Sequence, residues 1–370
     1  MKRRRFLHGA GAVTGLAAAM GLATTGLAAP ALASGRRRWR MVSRWPESFP
    51  DQYVAAERLA RRITAMSDGR LTIQVLPPEA LGDYKKTFGR LRDGEVEMSR
   101  SLSYDWRERG WAFDVFTFVP FGMTEFERAV WLQNYGGQAL WDRLYAGLGA
   151  KPFLCGSVGP QAFGWFAEPI HSTSQLKGLR YRTTGITERI MAALGARPKV
   201  LPPSQIGPAV EAGELDAFEL VGPAVDMAFD LHRYLPVYVF PSFHQTSGSI
   251  ELVVNRQAWA DLPGDLQAVI AVACQAEHAA NLADVHASNA RALGRLVSEH
   301  GVRVETLSDE VLAAIGEVTG QVLQEVRAES VPEQRRIFDS FLEARRSLMA
   351  WSSLTDAAFL AARQLPFGYL

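Results

Sequence analysis

Cysteine is almost missing from this chain: 370 residues carry only Cys155 and Cys274. With no CxxC pair, neither a structural zinc site nor a dithiol redox motif is indicated. The two lie 119 positions apart, and Cys274 falls in a helical pattern, which favours two buried thiols over one disulfide. An excess of one charge is missing too. Forty basic and 39 acidic side chains leave a net charge of +1, so no global field points to nucleic acid or a membrane surface. Past the N-terminus, no stretch reaches the ~18 unbroken apolar residues of a spanning helix. His171, His232, His244, His278, His286 and His300 show no metal-ligand spacing. There is no GxSxG, P-loop, HExxH or early GxGxxG, so the commonest hydrolase, NTPase, zinc-protease and dinucleotide signatures are missing.

What is present is an ordinary globular composition, 48% hydrophobic and 21% charged, which excludes disordered and fibrous classes. Nine Trp, nine Tyr and nineteen Phe make the chain aromatic-rich. That suits either a large core or the walls of a ligand cleft. The length suggests two or three domains. Residues 1–33 read as an export signal: a basic start at Lys2 to Arg5, an Ala/Gly-rich apolar stretch, and an Ala31-Leu32-Ala33 cleavage site. Arg3-Arg4-Arg5-Phe6-Leu7 resembles a twin-arginine motif, the signal of a route that exports folded proteins. Removing this segment takes away four basic and no acidic residues and leaves 36 against 39, a net of −3 that suits a periplasmic protein.

Periodicity predicts a strand at 39–43, a helix from a cap at Asp51 to Met66, and a strand at 71–75. A parallel α/β layer follows from that order. A helix is expected over 85–92, and a capping box at Thr124 and Glu127 opens another. Residues 104–122 are loop-rich and carry Phe113, Phe116, Phe118 and Phe121. A strand at 154–158 leaves this first unit, and strands at 180–182, 199–201 and 215–219, with a helix over 186–194 and one capped by Ser204, outline a second α/β unit over 160–245. A strand at 250–254 returns to the first. Residues 266–295 are almost uninterrupted helical material, about 45 Å long, and suit a backbone shared by two lobes. A strand at 302–304 and helices after Ser308 and Val331 complete the pattern.

The expected fold is therefore α/β and two-lobed, with a central cleft, a long connecting helix and C-terminal helices. Lobe I takes residues 38–158 plus about 249–265, lobe II takes 159–248, the long helix takes 266–298, and a C-terminal helical region takes 299–370. Such a chain is a clamp, since ligand clefts favour domain interfaces and hinge closure is a standard motion.

Several segments carry a family resemblance. They are Pro120-Phe121-Gly122-Met123-Thr124, Trp131 with Gly136-Gly137, and Gly159-Pro160-Gln161-Ala162-Phe163-Gly164-Trp165-Phe166. Leu176-Lys177-Gly178-Leu179-Arg180-Tyr181-Arg182, Gly213-Glu214-Leu215-Asp216-Ala217-Phe218-Glu219, Val221-Gly222-Pro223, and Val253-Val254-Asn255-Arg256 with Trp259 continue the order. Together they resemble solute receptors of tripartite ATP-independent periplasmic (TRAP) transporters of the DctP type, nearest to the receptors for 2-oxo acids and related monocarboxylates. The resemblance implies that Arg182 meets the ligand carboxylate, as a guanidinium fork suits that anion. Alternation places Arg180 and Arg182 on one face of their strand and does not choose between them; the resemblance chooses Arg182. It further implies a sodium or calcium ion bridging ligand and protein through Gln161, Glu219 and the Leu220 carbonyl, or no ion at all. Oxygen ligands of this kind suit hard cations.

Two departures stand out. Leu220 replaces the subgroup's usual Trp, and Gln245, in Phe243-His244-Gln245, replaces a glutamate. Tyr104 and Trp165 are candidates to stack on or hydrogen-bond the ligand, with interface core as the alternative. The implied function is a periplasmic receptor that binds a small organic acid and delivers it to small and large permease subunits, without catalysis. A sensor for a membrane signalling protein and an exported enzyme are the alternatives. Residues 340–365 match a helix that some relatives exchange in dimers; a monomer is equally open.

Overall fold

The computed structural model describes residues 35–368; the expected export signal lies outside them. The described residues hold two sheets. The first combines β1 (Arg37–Ser43), β2 (Leu71–Leu76), β3 (Met98–Leu102), β4 (Ala150–Ser157) and β10 (Ser249–Asn255) in the order β2-β1-β3-β10-β4. β1 runs parallel to β2 and β3, while β10 is antiparallel to β3 and β4. Every residue of β10 is buried, as its Ile250, Leu252, Val253 and Val254 require of a central strand. The second sheet holds β5 (Gly164–Phe166), β6 (Arg180–Arg182), β7 (Arg197–Lys199), β8 (Ala217–Phe218), β9 (Val237–Phe240) and β11 (Arg303–Thr306), ordered β11-β9-β5-β8-β6-β7. The strand expected near 302–304 thus joins the second sheet, parallel to β9. Neither β5 nor β9 was legible as a strand, being three and four residues long and too short to show a period.

The helix Gly264–His300 is 37 residues long, about 55 Å at 1.5 Å per residue, and it outruns the expected span at both ends. Gly301 stops it in the left-handed region at φ 66°. Ile270, Ala273 and Cys274 pack with Trp39, Leu59 and Leu252 in the first core, whereas Leu296 packs with Trp165, Phe218 and Tyr238 in the second. One helix therefore serves two cores. Polar contacts repeat this: Glu277 pairs with Arg58 at 2.7 Å, and Asn289 accepts from the Ala224 amide at 3.0 Å. Cys155 and Cys274 are both buried thiols in the first core.

Local chemistry explains the helix starts, with two corrections. Thr124 and Glu127 form the expected capping box, and Ser308 accepts from the Val311 amide. Asp51 does not cap the helix Gln52–Met66; it accepts from Ser288 on the long helix instead. Ser204 is not a cap either, because Pro203 already occupies the first turn of Pro203–Glu211, where a missing N–H costs nothing. The phenylalanine-rich stretch is core rather than cleft. Phe116 stacks on Trp141 at 5.0 Å and on Trp131 at 5.3 Å, aromatic contacts worth about 0.5–1.5 kcal/mol each beyond area burial.

Besides the long helix, two segments cross between the sheets, one after β4 and one before β10. They run side by side: the Val158 amide donates to Gly248 at 2.9 Å and the Gln161 amide to Gln245 at 3.2 Å. Gly159 is needed here. It has φ 79°, and a Cβ would come within 2.5 Å of Val285 on the long helix.

Candidate functional site

A cleft of about 460 Å³ opens beside these crossings. Tyr104, Gln161, Arg182, Leu220 and Gln245 all line it. Tyr104 follows β3, Arg182 ends β6, Leu220 follows β8, and the two glutamines lie on the crossing segments.

Arg182 is held at its base. Its Nε donates to the Leu201 carbonyl at 3.0 Å, and its Nη1 donates to the Glu219 carbonyl at 2.6 Å and to Glu219 Oε1 at 3.2 Å. Among the described residues, Nη2 meets no acceptor, which leaves that side of the fork for an anion in the cleft. Arg180, the other candidate on the strand, is committed to Asp216 through Nε at 2.9 Å. The structure therefore separates two arginines that alternation alone does not.

Glu219 sits directly behind Arg182 and is 2% exposed. Burial alone pushes its carboxyl up, but Arg182 and His244 beside it bring it below its ordinary value. Its Oε2 lies 3.8 Å from His244 Nε2 and has no hydrogen-bond partner among the described residues. Gln161 Nε2 donates to Gln245 Oε1 at 2.7 Å, and Gln161 Oε1 is likewise buried without a partner. Two orphaned buried oxygens are costly unless a donor or a cation meets them. A carboxylate oxygen and an amide oxygen form the donor set of a hard cation, so these residues fit one. Among the described residues there is no cluster of three or more His, Cys, Asp and Glu side chains suited to a metal; any ion here relies on amide and backbone oxygens as well.

Trp165 is a correction. Rather than facing the ligand, it is fully buried in the core of the second sheet, stacked on Tyr238 at 4.0 Å. Alternation along β5 turns it to the face covered by Phe218 and Leu296. Its Nε1 donates to Asp226 at 2.9 Å, and Asp226 also accepts from Tyr238 and from the Val221 amide at 3.2 Å. Trp165 thus acts on the cleft only at second hand, through the Leu220–Val221 backbone. Burial pushes the Asp226 carboxyl up to about 6. Trp165→Ala is expected to destabilise the fold by about 3–5 kcal/mol, read from urea unfolding. Full stability with loss of ligand binding would return Trp165 to the ligand.

Sequence reasoning missed Arg44, Trp45, Phe49, Tyr84 and Phe229, which also line the cleft. A signal existed for the first two. They follow β1, and the carboxyl ends of parallel strands are where α/β folds bind ligands. Arg44 is locked by Asp105 at 2.6 Å and donates to the Tyr104 hydroxyl at 2.9 Å.

The sequence profile of DctP, bacterial extracellular solute-binding protein family 7, matches residues 41–330. The chain belongs to the DctP family. This DctP-family chain is 29% identical to the monocarboxylate 2-oxoacid-binding periplasmic protein of Nostoc sp., over 97% of its own length and 98% of the relative's. It is also similar to a TRAP periplasmic solute-binding protein of Pseudoalteromonas atlantica with bound sodium and pyruvate. The identity is 31%, the TM-score is 0.82, and the match covers 88% of this chain and 99% of the other. A TRAP solute-binding protein of Bordetella bronchiseptica, a mixed-occupancy dimer with calcium and picolinate in one site, matches at 29% identity and TM-score 0.82. That match covers 89% of this chain and 97% of the other. The chain is thus a two-lobed α/β receptor of the TRAP type.

Proposed function

We propose that this protein is an exported, periplasmic receptor that binds a small monocarboxylate, a 2-oxo acid or close relative, together with one sodium or calcium ion. It hands the acid to small and large TRAP permease subunits. The observation that carries this reading is the Arg182–Glu219 pair under the cleft, flanked by the orphaned Gln161 Oε1 and Glu219 Oε2. Arg182 supplies the fork for the carboxylate, while Gln161, Glu219 and the Leu220 carbonyl would hold the cation. The cation would neutralise Glu219 and draw the ligand oxygens to it. Tyr104 and Gln245 complete the polar wall. No bond is broken, and the family's role as solute receptors supports that reading. The pyruvate, picolinate, sodium and calcium of the similar structures support the ligand class. The export segment at 1–33 agrees with the periplasmic naming of the relatives.

The lobe boundaries are part of this proposal, supported by sheet membership: β1–β4 and β10 fall in one sheet and β5–β9 in the other, which also takes β11 from the C-terminal region. The test is calorimetry on mature protein, unfolded and dialysed to remove carried-over ligand, against organic acids with and without sodium or calcium. Binding of one acid class that strengthens with a cation supports the reading; no binding to any acid defeats it.

We also propose a homodimer through the C-terminal helix. The helix Pro332–Ser352 continues through a π turn, Ser353–Ala357, into Ala358–Ala362, and beyond the body it presents Trp351 and Leu354, the latter 79% exposed. A groove of about 570 Å³, lined by Phe121, Leu312, Leu323, Phe338 and Phe341, has matching apolar character. The dimeric Bordetella relative agrees with this. Light scattering should give twice the monomer mass, and deletion of residues 350–370 should halve it. A monomer at micromolar concentration would defeat the dimer.

A further inference from the structure

The cleft lining combines the polar Arg182, Gln161 and Gln245 with a run of touching aromatic rings, Trp45, Phe49 and Phe229. At about 460 Å³ it has far more room than a three-carbon acid fills; a cavity of about 150 Å³ already takes a benzene ring. The aromatic rings come from both halves of the molecule. Phe49 follows β1 and Phe229 ends the helix Pro223–Ala228, yet their rings lie 6.0 Å apart. Trp45 stands 6.4 Å from Phe49. Trp45 is fixed in place, its amide and carbonyl both bound to the Ser43 hydroxyl at 3.1 and 2.9 Å and its ring 5.3 Å from the Arg100 guanidinium.

Phe229 is 37% exposed, an aromatic ring half in water at the cleft mouth. The neighbouring hollow beyond Tyr84 and Tyr104 carries more cations. Two of its guanidiniums are paired, Arg44 with Asp105 and Arg107 with Glu188 at 3.4 Å.

We propose that Trp45, Phe49 and Phe229 form an apolar tail site that selects carboxylates bearing a branched or ring-sized tail over three-carbon acids. The proposal rests on the carboxylate-receptor reading above and names the ligand within that class. The tail would pack against rings contributed by both halves, so the same contacts that set specificity would hold the clamp closed. Each further buried methylene is expected to tighten binding about fourfold.

The test is calorimetry at fixed sodium or calcium with pyruvate, 4-methyl-2-oxopentanoate and phenylpyruvate as probes. Phenylpyruvate is expected to bind at least about tenfold more tightly than pyruvate. Phe49→Ala and Phe229→Ala are each expected to lower phenylpyruvate affinity about tenfold more than pyruvate affinity. Phe229 is partly exposed, so its variant should fold, and a cooperative melt checks this. Pyruvate binding as tightly as phenylpyruvate, or a tail preference that survives both substitutions, overturns the tail site and leaves the receptor reading standing. Failure of all three acids to bind overturns the tail site; the receptor reading falls only if the wider set of organic acids fails as well.

Discussion

Arg182→Ala is expected to weaken carboxylate binding by about 30-fold or more, from the 2–5 kcal/mol that loss of one partner in a buried charged pair commonly costs. The structure gives the reason. Arg182 lines the cleft, and three of its contacts, to the Leu201 carbonyl and to both oxygen types of Glu219, fix the fork before any ligand arrives. A preorganised guanidinium loses less entropy on binding than a mobile side chain. The substitution has a second consequence. Side-chain exposure at the pair is 7% for Arg182 and 2% for Glu219, so alanine leaves a buried carboxylate unpaired, a change that costs about 3–5 kcal/mol of stability.

A double variant, Arg182→Ala with Glu219→Gln, separates the two effects. It should recover most of the lost unfolding midpoint and none of the lost affinity. Calorimetry and urea unfolding on the two proteins check this. Wild-type affinity in the single variant would remove Arg182 from the ligand, and recovery of binding in the double variant would make its role structural.

Glu219→Gln alone is expected to erase the cation dependence of binding. In the unsubstituted protein, Arg182 and Glu219 cancel, so a bound carboxylate adds a net negative charge that a sodium or calcium ion offsets. With glutamine at 219, Arg182 alone balances the ligand. The ion would also lose its only anionic protein ligand, and neutral oxygens hold hard cations weakly. Affinity should fall below that of the unsubstituted protein with cation and become indifferent to sodium, calcium or a chelator. A variant that still responds to the ion as the parent does would place the cation elsewhere.

The pH dependence has a fixed sign. Glu219 titrates below its ordinary value of 4.5 in the folded protein, so what its ionised form contributes is fully present above that value. It is lost only as pH falls through the lower folded value. The cation response should therefore be flat from pH 8 to 5 and disappear in more acidic solution. A loss centred near pH 6 would implicate a different group, with Asp226, pushed up to about 6, the first to examine.

The sequence by itself determined the class of fold and most of its polar cleft wall. Local signals were strong where residues act through near neighbours. The Thr124 capping box, the uninterrupted helical run before Gly301 and the apolar β10 all depend on contacts or periods within one segment. The family resemblance likewise picked out Tyr104, Gln161, Arg182, Leu220 and Gln245, which the fold brings to one cleft from five separate stretches of chain.

Tertiary structure alone decided the rest. Which arginine of β6 faces the cleft depends on Asp216, a residue on a different segment that engages Arg180. The family resemblance leaves Trp165 open between ligand contact and core; a three-residue strand carries no visible period to decide, and its ring packs on Tyr238 and bonds Asp226 on the far face. Phe229 and Phe49 share no motif at all. They meet only because the two halves close on each other, and burial at such an interface is a property of the folded surfaces, not of either segment.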